Sequence, residues 1–153
     1  RQRSFAHVIA NPPYFRRDAS TRGTDPAKEA ARGEETPLRL WCDVAARRLA
    51  PGGWLTLIHR PDRLVTLLEA LAPIGSVQVQ PLMPRAGRDA SLVLLRARKG
   101  GRAPLRLHAP VVMHDGARHR RDGEDYTPAL RAVLRDGAAL PGFGDPPRDG
   151  DRA

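Results

Sequence analysis

The sequence predicts an α/β domain whose sheet ends in an antiparallel pair. Two observations carry this: apolar runs of strand length alternate with stretches of helical spacing, and proline and glycine close each of them. The resulting order is strand, helix, strand, helix, strand, strand, which is the pattern of an α/β sheet.

The first strand is Phe5-Ala6-His7-Val8-Ile9-Ala10, stopped by Asn11-Pro12-Pro13, which neither strand nor helix continues. Residues 16 to 35 are polar, charged and glycine-bearing, and read as a long surface loop, a kind that is usually functional or disordered. Thr36-Pro37 is an N-cap followed by proline at the first helical position. Leu38, Trp41, Ala45 and Leu49 then recur at helical spacing, so they are the expected core face. Pro51-Gly52-Gly53 is expected to end that helix. Trp54 to Ile58 is the next strand, and its near-continuous hydrophobicity suggests that both faces are covered. Leu64 to Leu71 forms a second helix, closed by Pro73 and Gly75. Ser76 to Leu82 and Ser91 to Ala97 are strands joined by a charged loop from Pro84 to Asp89. Beyond the glycine-bearing joint at Lys99 to Pro104, Leu105–Leu107 and Val111–Met113 read as short strands. Tyr126-Thr127-Pro128 caps a small helix through Leu134, and disorder is expected from Gly142 on. The expected organisation is a main unit over 1–99, a small extension packed on it over 100–135, and a disordered tail over 136–153.

The chain of 153 residues is long enough for one domain with its own core. It opens at Arg1, one short step before a core strand, so the expectation is a fragment whose upstream half is missing. With 26 Lys and Arg against 17 Asp and Glu, the formal charge is +9. A basic surface favours a polyanionic partner through counterion release. A coding bias toward Arg, Ala, Gly and Pro explains the same excess, because the arginines are scattered. Cys42 is the only cysteine, which excludes an intrachain disulfide and a thiolate metal cluster; its neighbours make it a small core hydrophobe. No apolar run approaches a membrane span, so a soluble, cytoplasmic protein is expected.

Asn11-Pro12-Pro13-Tyr14 is the stretch that points to chemistry. It follows a buried strand, where open α/β sheets place their ligand crevice. An exocyclic amine conjugated to a ring or carbonyl is a poor nucleophile because its lone pair is delocalised. The Asn11 side-chain oxygen and the Pro12 carbonyl can each accept one of its N–H bonds, which draws the nitrogen toward tetrahedral geometry. The two prolines stiffen the backbone that carries those acceptors. Tyr14 offers a face on which an unpaired base stacks. A plain Asn-Pro-Pro turn is the bland alternative.

This tetrapeptide resembles motif IV of the amino-methyltransferases, in which Asn or Asp is followed by Pro, Pro and an aromatic residue. The resemblance implies that Phe5 to Ala10 is the fourth strand of a Rossmann-like seven-stranded methyltransferase sheet, and that this chain is its C-terminal half, ending in an antiparallel hairpin. It implies S-adenosylmethionine as cofactor, Asn11 as a residue of both cofactor and amine binding, and Pro12, Pro13 and Tyr14 as the rest of the catalytic segment. Phe15, the charged loop, Arg60-Pro61 and Tyr126-Thr127-Pro128 look like the bacterial tRNA (adenine-N6)-methyltransferases acting on valine tRNA. That similarity runs from about Phe5 to about Leu134 and implies tRNA as partner, with no metal and no membrane. Ala6 departs from those relatives, which commonly carry an acidic residue there. The glycine-rich loop that cradles the cofactor's methionine has no counterpart: Gly52-Gly53 precedes a strand and Gly142-Phe143-Gly144 lies in the tail. The chain alone is therefore expected to be inactive.

Two other readings stand beside this one. Enzymes that methylate a glutamine amide of a translation release factor share Asn-Pro-Pro-Tyr, although Phe15-Arg16-Arg17 and the basic balance favour nucleic acid. A cofactor-free RNA-binding remnant is the non-enzymatic alternative. Arg16, Arg17, Arg22, Lys28 and Arg32 flank the expected site mouth and suit phosphate contacts, as they would a solvated loop. His59 with Arg60 ends a strand near the crevice, where a structural role, such as bonding loop carbonyls, is expected. Arg85, Arg88 and Asp89 in the hairpin loop could touch RNA, but a charged loop tip needs no such explanation. His108, His114 and His119 read as surface residues, too irregularly spaced and too poor in acidic neighbours for zinc.

Overall fold

A computed structural model describes residues 3–12, 36–116 and 125–140. The segment expected as a long loop at 16–35 and the tail from Gly142 on lie outside the described residues. The elements are β1 (Phe5–Ala10), α1 (Thr36–Arg48), β2 (Leu49–His59), a 3-10 turn (Pro61–Arg63), α2 (Leu64–Leu71), β3 (Gln78–Met83), β4 (Leu92–Arg98), β5 (Arg106–Leu107), β6 (Val111–Val112) and α3 (Pro128–Asp136).

All six strands form one mixed sheet in the order β1-β2-β4-β3-β5, with β6 also on β3. β1 lies parallel to β2, while β4 is antiparallel to both β2 and β3. β1, β2 and β3 therefore run in one direction, and their carboxyl ends share one edge of the domain. The expected antiparallel pair is present, with β4 inserted between β3 and β2 rather than added at the rim. The segment expected as a packed extension adds β5 and β6 to the sheet itself, parallel to β3 at Gln78–Val79 and Leu82–Met83 respectively.

β2 starts earlier than the sequence suggests. Leu49 pairs with Phe5, the register then slips, and His7 pairs with Trp54. Pro51-Gly52-Gly53 is thus absorbed as an irregularity inside the strand instead of ending the helix. The bend needs glycine at position 53, because an added Cβ would sit 2.9 Å from the carbonyl oxygens of Ala50 and Ala6. Lys99 holds the same corner: its Nζ donates to the carbonyls of Ala46 and Leu49, each at 2.8 Å. A lysine on the last carbonyls of a helix also opposes their partial negative charge.

The core lies between the sheet and the helices α1 and α2. Cys42, Ala45, Leu49, Leu55, Leu57, Leu67, Leu71, Val79, Val93 and Leu95 are all buried in it. Along β2 burial alternates, so only one face is closed among the described residues. The opposite face carries Trp54, Thr56 and Ile58 at intermediate exposure, which corrects the expectation of two covered faces. Arg96 lies over the Trp54 ring on that face, 4.3 Å from the centroid. Trp41 also departs from expectation: it is 48% exposed, while Cys42 and Ala45 make the buried stripe of α1 and Leu49 is buried at the start of β2.

α3 begins as the sequence suggests. Thr127 caps it by accepting from the Leu130 amide, Pro128 follows, and Gly137 closes it in the left-handed region at φ 68°. The helix runs two residues past the expected Leu134, to Asp136. The Thr127 hydroxyl and amide donate to the carbonyls of Val112 and Met113, which fastens the helix to β6.

Candidate active site

The carboxyl ends of β1 and β2 form the crest on which the Asn-Pro-Pro-Tyr segment begins. Asn11 is the first residue after β1 and is exposed; Pro12 follows and is fully buried. The strand stops here for a local reason, since a proline contributes no amide to a ladder. The exposed asparagine and the buried proline make opposite demands: the proline anchors the backbone and the amide faces solvent. Pro13 and Tyr14 lie outside the described residues. So do the basic residues Arg16, Arg17, Arg22, Lys28 and Arg32.

At the end of the neighbouring strand, His59 is only 4% exposed. Its Nδ1 lies 3.3 Å from the Arg60 carbonyl oxygen, an interaction with a loop carbonyl of the expected kind. Burial pushes its pKa below the ordinary 6.5, with the Arg60 carbonyl and Asp62 opposing that and Arg63 and Arg60 adding to it. The imidazole is therefore neutral near pH 7. Sequence reasoning placed His59 near the crevice and missed its burial, because a polar residue at the end of an apolar run reads as the start of a loop.

Among the described residues β1 is the sheet's edge strand, with no strand on its outer side. Phe5, His7, Val8, Ile9 and Ala10 line a cavity of about 340 Å³ there with Trp41, Val44, Ala45 and Arg48 of α1. Ile9 is 82% exposed and Phe5 47%. These are apolar groups beside a strand that is paired on one side among the described residues.

On the other flank, at the carboxyl end of β3, Arg88 and Asp89 are exposed as a loop tip would be, whereas Arg85 is not. Arg85 donates to the Asp125 carboxylate at 2.5 Å and to the carbonyls of Asp115 and Gly116, and it is only 12% exposed. His114 also reaches Asp125, at 3.1 Å, and stacks on Tyr126 with centroids 4.7 Å apart. His108 bonds the Gln78 side chain at 3.1 Å. Both histidines are half-buried, and His114 does have an acidic neighbour, unlike the surface residues expected. His119 lies outside the described residues. Among the described residues, no group of three His, Cys, Asp or Glu side chains is placed to hold a metal. No helix among them is long and apolar enough to cross a membrane.

Neither a protein-family model nor a curated protein matches the sequence. Solved structures do match. One is a predicted O-methyltransferase, protein Atu636 of Agrobacterium tumefaciens, similar at TM-score 0.66 and 29% identity over 88% of this chain. The chain spans about half of that protein's length, 53%. Weaker similarity reaches a putative class I S-adenosylmethionine-dependent methyltransferase of Listeria monocytogenes, with TM-score 0.48 and 16% identity over 74% of this chain and 39% of that one. It also reaches the M1.HpyAVI–SAM complex, with TM-score 0.39 and 13% identity over 76% and 60%. The six-stranded mixed sheet is the Rossmann-like sheet of the Agrobacterium protein's fold, in part.

Proposed function

We propose that this chain supplies the amine-holding part of an S-adenosylmethionine-dependent methyltransferase, acting on the exocyclic amine of adenine in tRNA. The observation that carries this reading is the placement of Asn11, exposed on the carboxyl crest of a methyltransferase-like sheet, with Pro12 buried behind it.

The donor set fits the chemistry. The Asn11 amide oxygen and the Pro12 carbonyl are neutral acceptors, suited to an NH2 group and to the methyl-donor end of the cofactor. S-adenosylmethionine, when bound, supplies an electrophilic methyl group on a sulfonium. The work of this chain is to orient the acceptor. Two N–H bonds held by Asn11 and Pro12 would localise the nitrogen lone pair and aim it at that methyl group, and the nitrogen would shed a proton once methylated. Tyr14 stacks the adenine, and Arg16, Arg17, Lys28 and Arg32 contact tRNA phosphates, consistent with the +9 formal charge. The open edge of β1 suits a further parallel strand of the complete domain, carrying the glycine-rich cofactor loop.

The Agrobacterium neighbour is a predicted O-methyltransferase, which favours oxygen as a second acceptor. Two neutral carbonyl-type acceptors hold the two hydrogens of an amine better than the single hydrogen of a hydroxyl, and nitrogen is preferred here on that ground. The test is transfer of tritiated methyl from S-adenosylmethionine by the full-length gene product to unmodified tRNA, to a release-factor peptide and to a phenolic acceptor. Label in tRNA that digests to N6-methyladenosine supports the reading, and Asn11→Ala should abolish it while most tRNA affinity remains. Label confined to the peptide or the phenol overturns the adenine assignment, and tRNA binding without transfer to any acceptor favours an RNA-binding remnant.

A further inference from the structure

The pairing of β1 with β2 runs through Val8↔Leu55 and Ala10↔Leu57. Side chains at these parallel steps share the helix-covered face, where Leu55 and Leu57 are buried and Val8 and Ala10 pack against them. Pro12 and His59 each lie two residues beyond the last pair of that register, Ala10↔Leu57. Both are buried, Pro12 fully and His59 to 4% exposure, while Asn11, directly before Pro12, is exposed.

A histidine here is chemically out of series. Leu55 and Leu57 fill the same row of β2, and a third leucine would complete it without desolvating a polar ring. His59 and Gln80 are the buried polar side chains among the described residues. The His59 ring is held by its approach to the Arg60 carbonyl, which assigns the proton to Nδ1 and turns Nε2 into an acceptor. A flat, neutral ring locked at one nitrogen is a stiff wall for a proline, stiffer than a leucine with free rotamers.

We propose that His59 is a positioning residue of the methyl-acceptor site: its buried ring seats Pro12 and thereby sets where the Pro12 carbonyl and the Asn11 amide are held. This rests on the reading of Asn11 and Pro12 as acceptors of the amine. His59 touches neither donor nor acceptor in this role. A displacement of the two oxygens by about 1 Å is enough to cost on the order of a hundredfold in rate.

The experiment uses the full-length gene product, tritiated S-adenosylmethionine and unmodified tRNA, with His59→Leu, His59→Asn and Asn11→Ala. His59→Leu should fold with a lower kcat, by roughly ten- to a hundredfold, and an unchanged KM for S-adenosylmethionine. His59→Asn, whose amide N–H replaces Nδ1–H toward the Arg60 carbonyl, should recover most of that rate. A folded His59→Leu protein with wild-type kcat overturns the proposal, as does a His59→Asn protein indistinguishable from His59→Leu. A second readout is independent of turnover: the Asn11 side-chain amide resonances in a nitrogen-15 spectrum should move in His59→Leu and return in His59→Asn. If wild type shows no transfer, or Asn11→Ala retains it, the functional reading fails. The positioning of Asn11 by His59 then stands or falls on those resonances alone. Resonances that stay put overturn it.

Discussion

Arg85, just past the end of β3, and Asp125, forty residues further along, form an ion pair in which both side chains are largely withdrawn from water. The same guanidinium holds the carbonyls of Asp115 and Gly116, so one side chain ties the segment before α3 to the sheet. Truncating Arg85 takes the guanidinium away from the Asp125 carboxylate, with His114 still 3.1 Å from it. Removing one member of a buried pair costs about 3–5 kcal/mol, and the residual exposure here argues for the lower end. Arg85→Ala should therefore speed amide hydrogen exchange in α3 and β6 while leaving α1 and α2 protected. A uniform change across the domain would show that the pair does not act locally.

Two glycines invite a graded comparison. At Gly53 an added Cβ meets backbone oxygens at 2.9 to 3.0 Å, whereas at Gly75 it meets the Gly101 carbonyl oxygen at 2.1 Å and the backbone stands at φ 101°. Overpacking of this kind costs about 1–3 kcal/mol, and the left-handed conformation adds to it. Gly75→Ala should lower the urea midpoint more than Gly53→Ala. The reverse order would mean that the β3–β4 corner relaxes more readily than the start of β2.

What was legible in the sequence follows from what is local. Apart from the early start of β2, where Pro51-Gly52-Gly53 falls inside the strand, strands and helices appear near their expected places because periodicity and Pro-Gly punctuation act over a few residues. Asn11 and Pro12 were legible as a strand stop for the same reason. The order of strands was not, since β4 reaches its place beside β2 only through pairing with a strand some forty residues earlier. Arg85 read as a loop tip because its partners Asp115, Gly116 and Asp125 are distant in sequence. Trp41 read as core because helical spacing shows a stripe without showing how wide the neighbouring sheet is; β1 ends the sheet and leaves the ring half outside.

Cys42 should be a silent thiol in the folded chain. Burial, with a smaller contribution from Asp43, pushes its pKa from 9.0 to about 11. That difference alone lowers the thiolate fraction at pH 8 by about a hundredfold, and only the thiolate is alkylated. Iodoacetamide at pH 8 should label the native protein negligibly and the urea-unfolded protein completely. Rapid native labelling would place α1 in an open state much of the time.

His59 should also leave a mark on acid stability. Its pKa is lowered by folding, so below the unfolded value near 6.5 the unfolded chain binds the proton that the folded chain refuses. Its neutral form makes its full contribution above that pH, and the contribution is lost progressively as pH falls below it. His59→Asn removes the titration, so urea midpoints measured between pH 7.5 and 5 should fall less in the variant than in wild type. Parallel curves would show that the ring accepts a proton in place.

The last expectation concerns the free edge. Ile9 points away from the helices at 82% exposure on a strand that is paired on one side only among the described residues, beside the exposed Phe5. Such an edge is a template for pairing with another chain, and natural sheets blunt edges with charge, lysine above all. Because Ile9 is already in water, Ile9→Lys should change folding stability by no more than about 0.5 kcal/mol. It should nevertheless shift the isolated chain toward monomer in light scattering across a concentration series. Association that persists unchanged in Ile9→Lys would move the contact elsewhere, with the Trp41–Val44 stripe of α1 as the next surface to alter.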